Sequence, residues 1–138
     1  GFLDIIKNYR GTDAANISLY SAGMAYYNLN DFKNSIEYLN DFDSEDEILN
    51  ALALGVIGDS FAELDQLEDA LDSYDDAINS STNDFTSPKF LLKAGNIASS
   101  LGKKSIALDY YKRIKEDYSK SSESFLIDIQ IEKNSLKN

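Results

Sequence analysis

Several sets of side chains in this sequence have types and spacings suited to chemistry. Tyr20, Met24 and Tyr27 fall at i, i+4 and i+7, which puts two phenol rings and a thioether on one face of a helix. Such a face suits capture of a polypeptide, because tyrosine offers a broad apolar ring with one polar tip and methionine adapts its shape. Asp59 and Glu63, four residues apart, form a carboxylate pair of the kind used for acid–base work. Lys89 and Lys93 set two cations on one face in the same way. The acidic run Asp41-Phe42-Asp43-Ser44-Glu45-Asp46-Glu47 brushes a calcium-loop pattern. It lacks the required Gly, however, and Leu52 stands where the bidentate Glu belongs, so a capped helix start is the better reading.

What is missing narrows the chemistry further. The 138 residues contain no Cys and no His, which removes disulfides, thiolate nucleophiles, imidazole metal sites and His-based triads. Without a nucleophile, metal ligands or a phosphate loop around Asp59 and Glu63, no catalytic site, no metal site and no cofactor are expected. The net charge of −11 is unevenly spread. Residues 31–84 hold 16 acids against the single Lys33, whereas residues 85–138 hold 6 acids and 10 bases. So acidic a chain repels phosphate backbones, and nucleic acid is not expected as a partner. The acidic stretch reads first as a solvated outer face and second as a dock for a basic partner. No apolar run approaches the ~20 residues that cross a bilayer, so no direct membrane contact is expected from these residues.

These side chains need helices to position them, and helical periodicity runs through the whole chain with one Pro to interrupt it. The punctuation predicts helices at about 1–10, 14–29, 32–42, 45–64, 67–80, 88–101, 104–118 and 122–136. Ser44-Glu45-Asp46-Glu47 reads as a capping box and Asp65-Gln66-Leu67-Glu68 repeats it, while Ser87-Pro88 places a cap before a first-turn Pro. Asn30 and Gly102 stand where a left-handed residue ends a helix. In the last segment Phe125, Ile127, Ile129 and Ile131 alternate as in a strand, but Phe125, Ile129 and Leu136 also fit a helical stripe, and helix is expected.

Helix pairs at regular intervals prompt a search for repeats. Gly23, Gly58 and Gly95 align the chain on spacings close to the ~34 residues of one known repeat. Six residues after each stands Leu29, Leu64 or Leu101, followed by the turn formers Asn30, Asp65 and Gly102. Twelve residues after each glycine is a small residue (Ser35, Ala70, Ala107), and four further on a bulky one (Leu39, Tyr74, Tyr111). Small residues allow the two helices of a unit to approach, and the bulky ones are expected to fill the space between units. The pattern resembles the tetratricopeptide repeat (TPR) family. The family implies an all-α, right-handed solenoid of antiparallel helix pairs forming one domain over 1–138. Its expected units are repeats at 16–50, 51–87 and 88–120, a half repeat at 1–10 and a capping helix at 122–136.

A narrower likeness is carried by Gly1-Phe2-Leu3-Asp4-Ile5-Ile6, Tyr9-Arg10-Gly11-Thr12, Gly58-Asp59-Ser60-Phe61 and Pro88-Lys89-Phe90-Leu91-Leu92-Lys93-Ala94-Gly95. These strings look like TPR proteins of Bacteroidota-type bacteria that have one N-terminal membrane helix and are similar to the ancillary TPR subunit of the Sec translocon. The likeness implies a role in cell-envelope assembly or as a chaperone adaptor. The chain begins at Gly1 without Met, and the implied anchor would lie upstream of it.

In TPRs the first helix of each repeat lines the concave face. Carried over, the groove would present Tyr20, Met24, Tyr27 and Asn28, then Asp59 and Glu63, then Lys89, Leu92 and Asn96. For the trio on the first helix two readings stand, a ligand shelf or a surface covered by a preceding repeat. The carboxylate-clamp subset of TPRs is not matched, because Tyr20, Met24 and Val56 replace clamp residues and only Lys89 and Lys93 agree. Those lysines read as solvated charges at the groove edge. The expected function is non-catalytic binding of a protein or peptide, with head-to-tail self-association as the alternative.

Overall fold

A computed structural model describes residues 13–136. Within them eight α-helices follow in order: α1 (Asp13–Asn28), α2 (Phe32–Asn40), α3 (Glu47–Glu63), α4 (Leu67–Ser80), α5 (Ser87–Ser100), α6 (Lys104–Asp117), α7 (Ser122–Leu126) and α8 (Asp128–Ser135). Each helix packs on its neighbours in sequence, and α8 closes against α6, which makes the chain a TPR-type helical solenoid. The described residues contain no strand, and none of their helices is long and apolar enough to cross a membrane. The expected helix over 1–10 lies outside the described residues.

The three hairpin turns share one geometry. Asn30, Asp65 and Gly102 adopt φ of 60°, 59° and 76°. At each turn the next residue's N–H returns to a carbonyl five residues back (Asp31 to Tyr26, Gln66 to Phe61, Lys103 to Ala98, each 2.9 Å). The left-handed residue itself bonds three back, to Tyr27, Ala62 and Ser99. This pair of bonds is the Schellman closure, which satisfies carbonyls that a helix end otherwise leaves orphaned. Asp65 therefore serves the turn and does not cap α4, contrary to the sequence expectation. Gln66 takes the cap position with no side-chain bond.

The cap of α3 differs as well. Asp46 accepts from the N–H groups of Ile48 (3.0 Å) and Leu49 (3.2 Å), in place of Ser44. A carboxylate one residue from the helix start outcompetes a more distant hydroxyl. Ser44 is instead clamped through its backbone by Asn50, whose amide gives to its C=O and accepts from its N–H. Ser87 is likewise no cap: its hydroxyl accepts from Asn83 N–H and donates to the Ser81 carbonyl, tying down the loop before α5.

Close approach within each pair rests on a glycine. A Cβ added at Gly23 would stand 2.4 Å from Leu39 Cγ, at Gly58 2.6 Å from Tyr74 Cε1, and at Gly95 2.5 Å from Tyr111 Cε1. The bulky residues thus plug the glycine of their own pair, and they also reach the next pair as expected: Leu39 clusters with Ala53 and Ile57, and Tyr74 stacks on Phe90. Between pairs α3 and α5 meet at Gly55, where an added Cβ would stand 2.2 Å from the Phe90 ring. The small residues hold as expected: Ala70 and Ala107 are fully buried, and Ser35 buries its hydroxyl by donating to the Gly23 carbonyl at 2.8 Å.

The predicted terminal helix is broken in two. Ile127, between α7 and α8, is fully buried in the main core, with Ile131 packed against that core one turn on. The stripe of Phe125, Ile129 and Leu136 faces outward, 76%, 75% and 63% exposed. Burial of Ile127 sets the orientation of this segment, and Lys115 reinforces it by pairing with Asp128 at 2.8 Å.

Changing Gly95 to Ala drives a methyl into the Tyr111 ring, and Ala107 to Leu overfills a closed contact. Each substitution should cost about 1–3 kcal/mol. Thermal unfolding checks this, and unchanged melting of both variants would refute the crossing register.

Candidate functional site

Helices α1, α3 and α5 bring one side-chain set each to a common concavity. A cavity of about 310 Å³ is lined by Tyr27 from α1, Asp59, Ala62 and Glu63 from α3, Tyr74 from α4, and Lys93, Asn96 and Ile97 from α5. Four of the expected groove residues, Tyr27, Asp59, Glu63 and Asn96, therefore meet in one place.

The floor is a hydrogen-bonded polar set. Asp59 Oδ1 accepts from the Tyr74 hydroxyl and from Lys93 Nζ, the latter at 2.8 Å. Lys93 Nζ also lies 6.0 Å from the Tyr74 ring centroid, within reach of its π face. In the next repeat the Tyr111 hydroxyl donates to Asn96 Oδ1 at 2.7 Å. Both pairs are 15 positions apart and follow one rule: the ring lies on the glycine, and its hydroxyl reaches the residue after that glycine. Burial raises the Tyr74 pKa well above the ordinary phenol value, reinforced by its hydrogen bond to the Asp59 carboxylate. Tyr27 is raised by burial and then by the Asp59 and Glu63 carboxylates.

The remaining expected residues lie elsewhere. Tyr20 is half-buried, its ring 5.2 Å from Phe42 and packed on the cluster of Leu39, Ala53 and Ile57. Tyr20 is therefore not left free, and the cavity is not lined by Tyr20 or Met24. Asn28 is exposed at the end of α1. Lys89 is exposed, with its ammonium 5.7 Å from the Phe90 ring centroid. Leu92 is half-buried and packs against the main core.

Two contributors differ from the sequence reading. Lys93, read as a solvated edge charge, is ion-paired to Asp59, and Tyr74, read as a space filler, donates its hydroxyl to the same Asp59 oxygen. The signal for the second was present, since an acid and an amide each follow a repeat glycine with a tyrosine 15 positions on. Lys93 left no such signal, because its partner lies 34 residues away in the preceding repeat.

Two stretches match models of the tetratricopeptide repeat, residues 18–47 and 90–121, and these fall on the α1–α2 and α5–α6 hairpins. No curated protein matches the chain.

A phenol whose pKa is raised on folding contributes stability that is fully present below the unfolded value of 10.0 and lost as pH climbs from there toward the folded value. Denaturant unfolding of the intact protein should therefore show stability falling above about pH 10, with a shallower fall for Tyr74→Phe. An identical slope in the variant would show that the Tyr74 hydroxyl is not held as described.

Proposed function

We propose that this chain, a helical solenoid of tetratricopeptide repeats, holds a segment of another polypeptide in the groove lined by Tyr27, Asp59, Glu63 and Asn96. TPRs are generally non-catalytic scaffolds for protein–protein interaction. The observation that carries the placement is the convergence of α1, α3 and α5 on one concavity with mixed chemistry. Tyr27 and Ile97 offer apolar surface to a peptide's side chains. With its Oδ1 taken by Tyr111, Asn96 keeps its amide N–H groups as donors for a peptide carbonyl. Setting the activity in the cell envelope is supported by sequence likeness alone, and two of the strings that carry it fall in or at the start of α3 and α5.

A dodecapeptide display library, followed by chemical-shift mapping of the selected peptides, tests the groove. Shifts should centre on Tyr27, Ala62 and Asn96, and Asn96→Ala should weaken binding. Selected peptides that shift only α4 and α6, or a library that yields none, would overturn the assignment. The acids Asp69, Asp72 and Asp76 of α4 do not line the groove, so changing all three to Asn should leave affinity intact. A large loss would instead make the acidic middle a docking face. Membrane fractionation of source cells tests the envelope setting, and recovery in the cytosol would end it.

Head-to-tail self-association stands as a second reading because Phe125, Leu126 and Ile129 are 76%, 67% and 75% exposed on the last two helices, where a solenoid stacks its next unit. Light-scattering mass across a concentration and salt series decides it. A monomer throughout removes this reading.

A further inference from the structure

The groove already contains one cation held between a ring and a carboxylate. Lys93 sits 2.8 Å from Asp59 Oδ1 and 6.0 Å from the Tyr74 ring centroid. One helical turn along α3, Glu63 presents a second carboxylate to the same cavity, and Tyr27 a second phenol ring. The elements are duplicated, but the cation is not. Among the described residues no Lys or Arg pairs with Glu63, which is exposed, and Lys93 is committed to Asp59. Tyr27 responds electrostatically to both Asp59 and Glu63, so its hydroxyl end lies within the field of the unpaired acid.

We propose that Glu63 and Tyr27 form a subsite for an arginine side chain of the bound polypeptide. The inference rests on the groove reading above and adds the class of residue recognised. A guanidinium suits the place better than an ammonium, because its planar fork bonds a carboxylate through two parallel N–H groups while its face stacks on a phenol. Charge at the groove favours the same ligand. Lys93 neutralises Asp59, Glu63 is left over, and the 31–84 stretch around it carries 16 acids and one base. An acidic side chain would meet Glu63 with repulsion, and a neutral one would leave its charge without a partner.

The test uses the intact protein and two defined probes, acetyl-Gly-Gly-Arg-Gly-Gly-amide and the same peptide with citrulline, which keeps the shape and removes the charge. Titration followed by amide shifts should place the arginine peptide at Tyr27 and Glu63, with the citrulline peptide weaker by about fivefold. Glu63→Gln, an exposed change that leaves the fold alone, should abolish that difference, and Tyr27→Leu should reduce it. Equal binding of the two peptides, or a preference that survives Glu63→Gln, overturns the arginine subsite. The display selection separates the levels. Library peptides that map to the groove without arginine dependence sink this inference and leave the groove reading standing, whereas library peptides that map elsewhere sink both.

Discussion

Everything in this solenoid depends on the place where the two helices of a pair touch at a glycine. At Gly58 and Gly95 the partner helix lays a tyrosine ring where a Cβ would otherwise stand, and at Gly23 it lays a leucine there. Because nothing intervenes between backbone and ring, the ring's far end reaches past the crossing to the concave side. The Tyr74 hydroxyl then lands on Asp59 and the Tyr111 hydroxyl on Asn96. One contact thus serves both packing and cavity, since the ring that closes the pair also orients a side chain that lines the concave side. The first pair lacks this link, because Leu39 carries no hydroxyl and Met24 replaces the acid or amide. Its contribution to the groove comes instead from Tyr27, one turn further along α1.

The uneven charge has a structural use at the junction of the second and third pairs. Asp59, Glu68 and Asp75 are met by Lys93, Lys103 and the Tyr110 hydroxyl, 34 or 35 positions later in each case. Acids of one repeat are answered by donors of the next at the corresponding place. Of the three contacts only Lys103–Glu68 is exposed, and such a pair contributes little stability by itself, while the other two are part-buried. The value of all three is register, since sliding one pair along the other by a turn would break them together. Acids also crowd one another on α4: the Asp76 pKa is raised by partial burial and then by Asp72 and Asp75. The reading of the acidic stretch as a uniformly solvated face is therefore too simple, as part of it joins repeats.

The fold was legible because its cause is periodic. A glycine, a turn residue and a small–bulky pair recur at fixed offsets, and each offset corresponds to a physical contact. Asn30 and Gly102 were readable as left-handed turn residues for the same reason. The caps were less legible, because several acids and hydroxyls compete within two residues of a helix start and only backbone geometry chooses among them. Asp46 displaces Ser44, and Asp65 is taken by the turn. The terminal helix failed on orientation. Periodicity gives the angular spacing of Phe125, Ile129 and Leu136 but not which side the core lies on, and Ile127 decides that.

For the groove, the distinction is between helix face and depth. A shared face groups Tyr27 with Tyr20 and Met24 in the sequence, yet α1 reaches the cavity only near its C-terminal end, through Tyr27. Tyr20, two turns from Tyr27, meets Phe42 and the core between the first and second pairs, while Tyr27 meets α3 near its end. Position along the axis is set by where the neighbouring pair crosses, which is a tertiary fact. The ion pair of Lys93 with Asp59 has the same origin, as it exists only once the third pair stacks on the second. Stacking is therefore what brings side chains of three hairpins together around one cavity. It consumes one carboxylate and one lysine of the groove internally and leaves Glu63 as the charge that faces outward.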